Sequence, residues 1–240
     1  IGQTNFFLVY QGDNDKEIQT RIASLYLKSC PDLDFVASHC KTSRPETRTR
    51  IRIGFISAFL GSHTIGKLFR GLIRGLDPKK FEKFIFHLGP DRRLEDNDLA
   101  SLSNDVEHFV PVPLQFLKGR QAIAQYEPDI LYYTDIGMEP LSYFLAFNRL
   151  APVQCVSWGH PVTTGIPNID YFISWQIHEP KNAQEHYSEE LKLFSGFCTD
   201  YSPPNYEETK ITNGELGLNT DENLYVCPQS LFKFHPIFDN

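Results

Sequence analysis

Residues 16–29 place apolar side chains at Ile18, Ile22, Leu25 and Tyr26, the i, i+4, i+7, i+8 spacing that gathers them on one face of an α-helix. Cys30-Pro31 closes that helix, because a proline disfavours helical geometry at the residue before it. The stretch through 41–50 is polar and basic and reads as a linker, so a new domain is expected to begin near residue 51. From there short β-rich runs at 51–57, 81–88, 106–110, 129–133, 152–158 and 169–174 are interleaved with helical segments at 65–76, 92–103, 118–126 and 140–148. That alternation predicts an α/β fold with a doubly wound, Rossmann-like parallel sheet. Residues 195–222 turn rich in Gly, Pro, Asn and Thr, and a fresh strand is expected at 223–227. One strand makes no domain, so the expectation is a second α/β unit cut off at Asn240.

Composition agrees with a globular chain: 240 residues, 41% hydrophobic and 13% aromatic, suffice for one large α/β domain with flanking pieces. A formal net charge of -7 argues against a nucleic-acid duplex as main partner, since phosphate neutralisation needs a dominant basic face. No run approaches the roughly 18 apolar residues of a membrane span, and the first residues lack the plan of a secretory signal. Position 1 is not Met, which suggests a piece of something longer. Five cysteines, an odd number without a C-x-x-C pair, fit reduced thiols in the cytoplasm. Cys30, His39 and Cys40 fall short of the four ligands of a structural zinc site.

After the first strand comes Gly61-Ser62-His63-Thr64-Ile65-Gly66-Lys67-Leu68, a G-x-x-x-x-G-K pattern. A functional phosphate loop needs Ser or Thr after the lysine to hold Mg²⁺, and Leu68 stands there. The downstream strands offer no clean terminal Asp for a metal, since Asp129 begins its strand. Strand-to-helix loops at the C-terminal edge of a parallel sheet are nonetheless where ligands bind. His63 is placed to reach that crevice, either as an acid or base or as a loop-shaping residue, and the spacing alone does not choose.

Three stretches carry a family resemblance. Arg52-Ile53-Gly54-Phe55-Ile56-Ser57 with Gly61-Ser62-His63 resembles the opening strand and His-bearing loop of the O-GlcNAc transferase/SPINDLY family. Ala151-Pro152-Val153-Gln154-Cys155-Val156-Ser157-Trp158-Gly159-His160-Pro161-Val162-Thr163-Thr164-Gly165 resembles its Ala-Pro-Val/Ile-Gln strand and Gly-x-Pro-Gly-Thr-x-Gly turn, with matching continuations at 169–174 and 185–191. Tyr225-Val226-Cys227-Pro228-Gln229-Ser230-Leu231-Phe232-Lys233 is similar to the strand and loop that open the second Rossmann-like domain.

The resemblance implies a GT-B architecture: residues 1–50 as connector or end of a tetratricopeptide-repeat region, 51–215 as the N-terminal catalytic lobe, 216–240 as the truncated start of the nucleotide-binding lobe. It further implies an inverting protein glycosyltransferase that moves GlcNAc from UDP-GlcNAc to Ser or Thr of protein acceptors, with no metal or other cofactor, no nucleic acid and no membrane. GDP-fucose transfer, Asn glucosylation or an inactive repeat scaffold are the alternatives. His63 matches the catalytic-centre histidine; Gly159, His160 and Pro161 border the donor sugar; Gln229, Ser230 and Lys233 fall on the donor side, with Lys233 and the N–H groups of a following helix meeting the diphosphate. Two departures stand out. Phe59 occupies the position of an Asp found in animal members, and His160 replaces a Tyr, serving either as pocket wall or in proton transfer. The 240 residues alone are expected to be weakly active or inactive.

Several tempting features read blandly. Asp13-x-Asp15, Asp32-x-Asp34 and Asp96-x-Asp98 are taken as solvated acids, Arg92-Arg93 and Lys79-Lys80 as surface turns, and His108, His178 and His186 as structural.

Overall fold

The computed structural model describes residues 4–43, 45, 47–197, 199–202, 211–218 and 223–239. Two compact units emerge, Ile1–Tyr201 and Ser202–Asn240.

Seven strands build the first unit: β1 (Ile51–Ser57), β2 (Phe81–Leu88), β3 (His108–Val112), β4 (Ile130–Tyr133), β5 (Val153–Val156), β6 (Tyr171–Trp175) and β7 (Glu190–Phe194). They form one sheet in the order β3-β2-β1-β4-β5-β6-β7, and every pairing is parallel. Among the described residues five α-helices accompany them: α1 (Lys16–Ser29), α2 (Thr64–Gly75), α3 (Asn97–Ser103), α4 (Phe116–Ala124) and α5 (Pro140–Leu145). The strand order reverses between β1 and β4, so the crevice beyond their C-terminal ends is the switch point where open α/β sheets bind ligands.

The near-continuous apolar runs of the inner strands follow from burial on both faces. Ile56, Phe84, Phe86, Leu131 and Tyr133 pack into one core with Ala23 of α1, Ile123 of α4 and Leu141, Phe144 and Leu145 of α5. Their chain neighbours Phe55, Ile85 and Tyr132 point into the other core, with Ile65, Phe69 and Ile73 of α2 and Leu99 and Leu102 of α3. Successive residues facing opposite cores are the signature of a doubly wound sheet.

The N-terminal stretch is stitched to the same body. Arg149 donates its N–H to Phe35 O at 2.7 Å, and its carbonyl accepts from Ala37 at 2.9 Å. Arg48, in the basic stretch, pairs with Glu127 at 2.7 Å and Asp129 at 3.4 Å and is largely buried.

Four of the differences from the expected elements have a clear physical cause. β3 runs two residues later than expected and contains Pro111, which an edge strand tolerates because one side of its backbone has no ladder to complete. α3 starts only at Asn97, because the Asp96 side chain accepts the N–H groups of Asp98 and Leu99 and fixes the helix start there. β7 was not expected. It is a mostly exposed edge strand whose charged Glu190 and Lys192 hide the β pattern, and edge strands carry such charges. The strand expected at 223–227 is not formed: residues 223–230 have no regular structure, because an extended segment becomes a strand only with a ladder partner and the described residues of the second unit supply none.

The second unit consists, among its described residues, of turns and two short 3₁₀ segments, Leu231–Lys233 and Pro236–Asp239. No helix among the described residues is long and apolar enough to cross a membrane.

Candidate active site

β1 ends at Ser57, and the chain crosses the sheet edge through Phe59 and Gly61 to His63, the N-cap of α2. His63 has extended backbone geometry, and its Nδ1 accepts the Ile65 N–H at 3.2 Å. A ring nitrogen that accepts carries no proton, and burial lowers the pKa of this ring, so the neutral form holds its proton on Nε2. His63 is therefore poised as a hydrogen-bond donor. The Phe59 ring lies 4.9 Å from it, centroid to centroid. Because α2 begins at Thr64, Gly66 and Lys67 fall inside the helix rather than in the loop ahead of it, so the Walker-like spacing does not build a phosphate loop.

The His63 loop is pinned from α3. Asp96 accepts the Ser62 N–H at 2.8 Å and the Ser62 hydroxyl at 2.9 Å while it caps α3, and Asp98 pairs with Arg70 at 3.0 Å. These two are thus structural acids rather than solvated ones. Their hydrogen bonds and the Arg70 charge hold both carboxyls below the usual range, although partial burial opposes this. Asp15 is likewise buried rather than solvated, and burial raises its pKa. A cleft of about 280 Å³ opens beside the loop, lined by Phe59, His63, His87, Arg92 and Asp96 among others.

Two strands away, β5 runs into the turn that carries Gly159, His160 and Pro161. Gly159 lies so close to the end of β4 that a Cβ on it would sit 1.7 Å from Thr134 O, which explains glycine there. His160 is buried, its ring stacked on Phe6 at 4.5 Å, and burial lowers its pKa to about 4. Pro161 is exposed. Thr163 and Thr164 donate to buried Glu189 at 2.6 Å and 2.5 Å, tying the far side of the turn to the start of β7.

Between the two loops, just past β4, lies Asp135, 1% exposed. The Thr134 hydroxyl donates to its Oδ1 at 2.6 Å, while Oδ2 is buried without a hydrogen-bond partner. Burial raises this carboxyl to about 6, against the opposing pull of the nearby Ser57 and Thr134 hydroxyls. No Asp ends a strand-like apolar run in the sequence; Asp135 stands two residues beyond β4, at the switch point.

Gln229, Ser230 and Lys233 belong to the second unit. Gln229 Oε1 accepts the Ser230 N–H at 3.0 Å, and exposed Lys233 ends the 3₁₀ segment Leu231–Lys233. The helix expected after Lys233 is a second 3₁₀ segment instead, too short to gather the aligned N–H groups of an α-helix start. Among the described residues no group of three or more His, Cys, Asp or Glu side chains is arranged to hold a metal ion.

The model of glycosyl transferase family 41 matches residues 6–199, taking in the N-terminal segment, the His63 loop and the 159–161 turn. The chain belongs to glycosyl transferase family 41. Among curated relatives, it is 25% identical over 194 residues to the probable UDP-N-acetylglucosamine--peptide N-acetylglucosaminyltransferase SEC of Arabidopsis thaliana, covering 78% of this chain and 20% of the relative. It is 28% identical to the Caenorhabditis elegans UDP-N-acetylglucosamine--peptide N-acetylglucosaminyltransferase over 59% of this chain and 12% of the relative. To the probable UDP-N-acetylglucosamine--peptide N-acetylglucosaminyltransferase SPINDLY of Solanum lycopersicum it is 35% identical, over 35% of this chain and 10% of the relative. The chain thus spans a fifth or less of their lengths. A solved mutant O-GlcNAc transferase of Thermobaculum terrenum superposes with a TM-score of 0.63 at 23% identity, over 76% of this chain and 35% of that one, a likeness of fold. The Rossmann-like lobe of a GT-B enzyme is the fold this chain has.

The family 41 motif residues divide into two kinds. Gln154 is a staple: its amide donates to Asn148 O and Asn168 O, and its oxygen accepts from Leu150 N–H. Gly159, by contrast, permits the close approach of its turn to Thr134 O at the end of β4. Asp135 lies outside the family-like motifs, and the signal for it in the sequence is a carboxylate two residues past an apolar strand.

Proposed function

We propose that the protein is an inverting protein O-glycosyltransferase that moves GlcNAc from UDP-GlcNAc to Ser or Thr hydroxyls of polypeptide acceptors. The observation that carries this reading is the family 41 match across a sheet whose switch point is flanked by the His63 loop and the Gly159 turn. Donor and acceptor class follow from what the relatives are named for, a UDP-N-acetylglucosamine donor and a peptide acceptor.

In the proposed reaction the acceptor hydroxyl oxygen bonds to the anomeric carbon as the bond to the diphosphate oxygen breaks. The nucleotide diphosphate leaves with the electron pair, and the proton of the acceptor hydroxyl passes to an oxygen of that leaving diphosphate. His63, neutral with its proton on Nε2, orients an oxygen of the reacting pair by donation. Its cap bond to Ile65 disfavours a base role, because Nε2 can accept a proton only after the ring proton shifts to Nδ1, which breaks that bond. Lys233 supplies positive charge to the leaving diphosphate in this reading, and no metal is required. The free thiols of Cys30, Cys40, Cys155 and Cys227 support a cytoplasmic setting.

Equilibrium binding of UDP-GlcNAc to the intact protein, in competition with UDP and GDP, tests the donor. UDP is expected to compete and GDP not; competition by GDP alone would reject UDP-GlcNAc as donor.

A further inference from the structure

The loops after β4 and β5 are held from the N-terminal side at three points. The Phe6 ring stacks on His160 with centroids 4.5 Å apart and planes 25° from parallel. The Thr4 hydroxyl donates to Gly137 O at 2.7 Å, in the loop between β4 and α5. Gly165, at φ +68°, lies against the backbone of α1, where a Cβ would come within 2.3 Å of the Gln19 carbonyl carbon. The Asn5 side-chain amide donates to Gln19 Oε1, so the three anchors form one connected piece. None of these contacts joins a strand of the sheet: Thr4 and Phe6 meet the loops just past the C-terminal ends of β4 and β5, and Gln19 meets the β5–β6 connection where Gly165 donates to Ser188 Oγ ahead of β7.

Within this arrangement His160 lacks the usual restraint of a buried histidine, because its Nδ1 is buried without a hydrogen-bond partner. Hydration of that nitrogen would favour swinging the ring outward, and the Phe6 face opposes it. We propose that Phe6 is a positioning residue for the sugar side of the site, acting through the His160 ring to fix the Gly159–Pro161 turn, so that a displacement of the N-terminal segment displaces the turn. This rests on the reading that the turn borders the donor sugar.

Two segments are seen against the His160 ring, the 134–139 loop and residues 4–12. The 134–139 loop carries Asp135 and Glu139, the latter accepting the Leu141 and Ser142 N–H groups, and residues 4–12 carry only Tyr10. Burial is the cause of the lowered His160 pKa.

Two readouts on the chain itself test the proposal: NMR titration of the His160 ring, and amide hydrogen exchange across 157–166 compared with β1 and β4. With Phe6 present, His160 is expected to stay neutral down to about pH 4. Phe6→Ala should raise that midpoint by about one unit or more towards the ordinary histidine value, and speed exchange in the turn about tenfold with little change in the strands. Phe6→Tyr, which keeps the ring face, should restore both. An unchanged titration and turn in Phe6→Ala, or exchange accelerated equally throughout the sheet, overturns the proposal. No donor is present in either measurement, so such a failure removes the Phe6 role alone and leaves the transferase reading to its own assay.

Discussion

His63 Nδ1 accepts the backbone N–H of Ile65 at 3.2 Å, so one nitrogen of the ring closes the first turn of α2 while the other remains for the cleft. Capping and chemistry are thereby separable by substitution. His63→Asn preserves an N-cap acceptor and should melt close to the wild type, whereas His63→Ala should lose about 1 kcal/mol. Both should lose most glycosyl transfer. Thermal unfolding together with a transfer assay checks this; near-normal transfer in His63→Asn would show the ring to be a cap only.

Asp96 reaches the same loop from the other side, through the Ser62 N–H and hydroxyl. Asp96→Ala removes the α3 cap and releases the loop, so a loss of about 1–2 kcal/mol is expected. Amide exchange at 61–65 should rise more than at the centre of β1. A uniform rise across the sheet would mean that Asp96 serves stability and does not hold the loop.

The sheet was legible because β1, β2 and β4 are buried on both faces and announce themselves as apolar runs. The exposed edge strand β7 does not, since Glu190 and Lys192 are compatible with a loop. His63 and Gly159 could be found because each lies in the loop that follows a strand, inside a recognisable motif. The roles of Asp96 and Phe6 could not, because they arise from contacts across 34 residues to Ser62 and across the fold to His160. Asp135 was visible as a letter, but its burial and unpartnered oxygen depend on how the Gly159 turn packs over the end of β4.

That packing makes a sharp prediction. A Cβ at Gly159 would meet Thr134 O at 1.7 Å, against backbone that cannot rotate away. Gly159→Ala should cost roughly 2–4 kcal/mol or displace the turn. Chemical denaturation gives the first, and weakened UDP-GlcNAc binding by the intact protein reports the second; a variant normal in both would contradict the close approach.

Asp135 and His160 should pull stability in opposite directions with pH. The Asp135 carboxyl, raised from 3.8 to about 6, binds more protons folded than unfolded between those values, so its contribution improves as pH falls through 6 towards 3.8. His160, lowered from 6.5 to about 4, binds fewer protons folded, so its contribution worsens as pH falls from 6.5 towards 4. Each effect is about 3 kcal/mol at full extent, and in the wild type they largely offset one another. Asp135→Asn should be more stable than wild type at pH 7 and lose stability on acidification to pH 4. His160→Phe should gain stability over the same range. Denaturation series at pH 4, 5, 6 and 7 decide it: parallel curves for wild type and both variants would show that neither group titrates as its burial implies.

The most direct test of the account is transfer of labelled GlcNAc from UDP-GlcNAc to Ser- and Thr-containing peptides by the intact protein, beside the His63→Ala and Lys233→Ala variants. Transfer by the wild type that depends on the peptide hydroxyl and falls by about a hundredfold or more in each variant is the predicted result. Neither transfer nor donor hydrolysis by the wild type, with donor binding unchanged in Lys233→Ala, would contradict it.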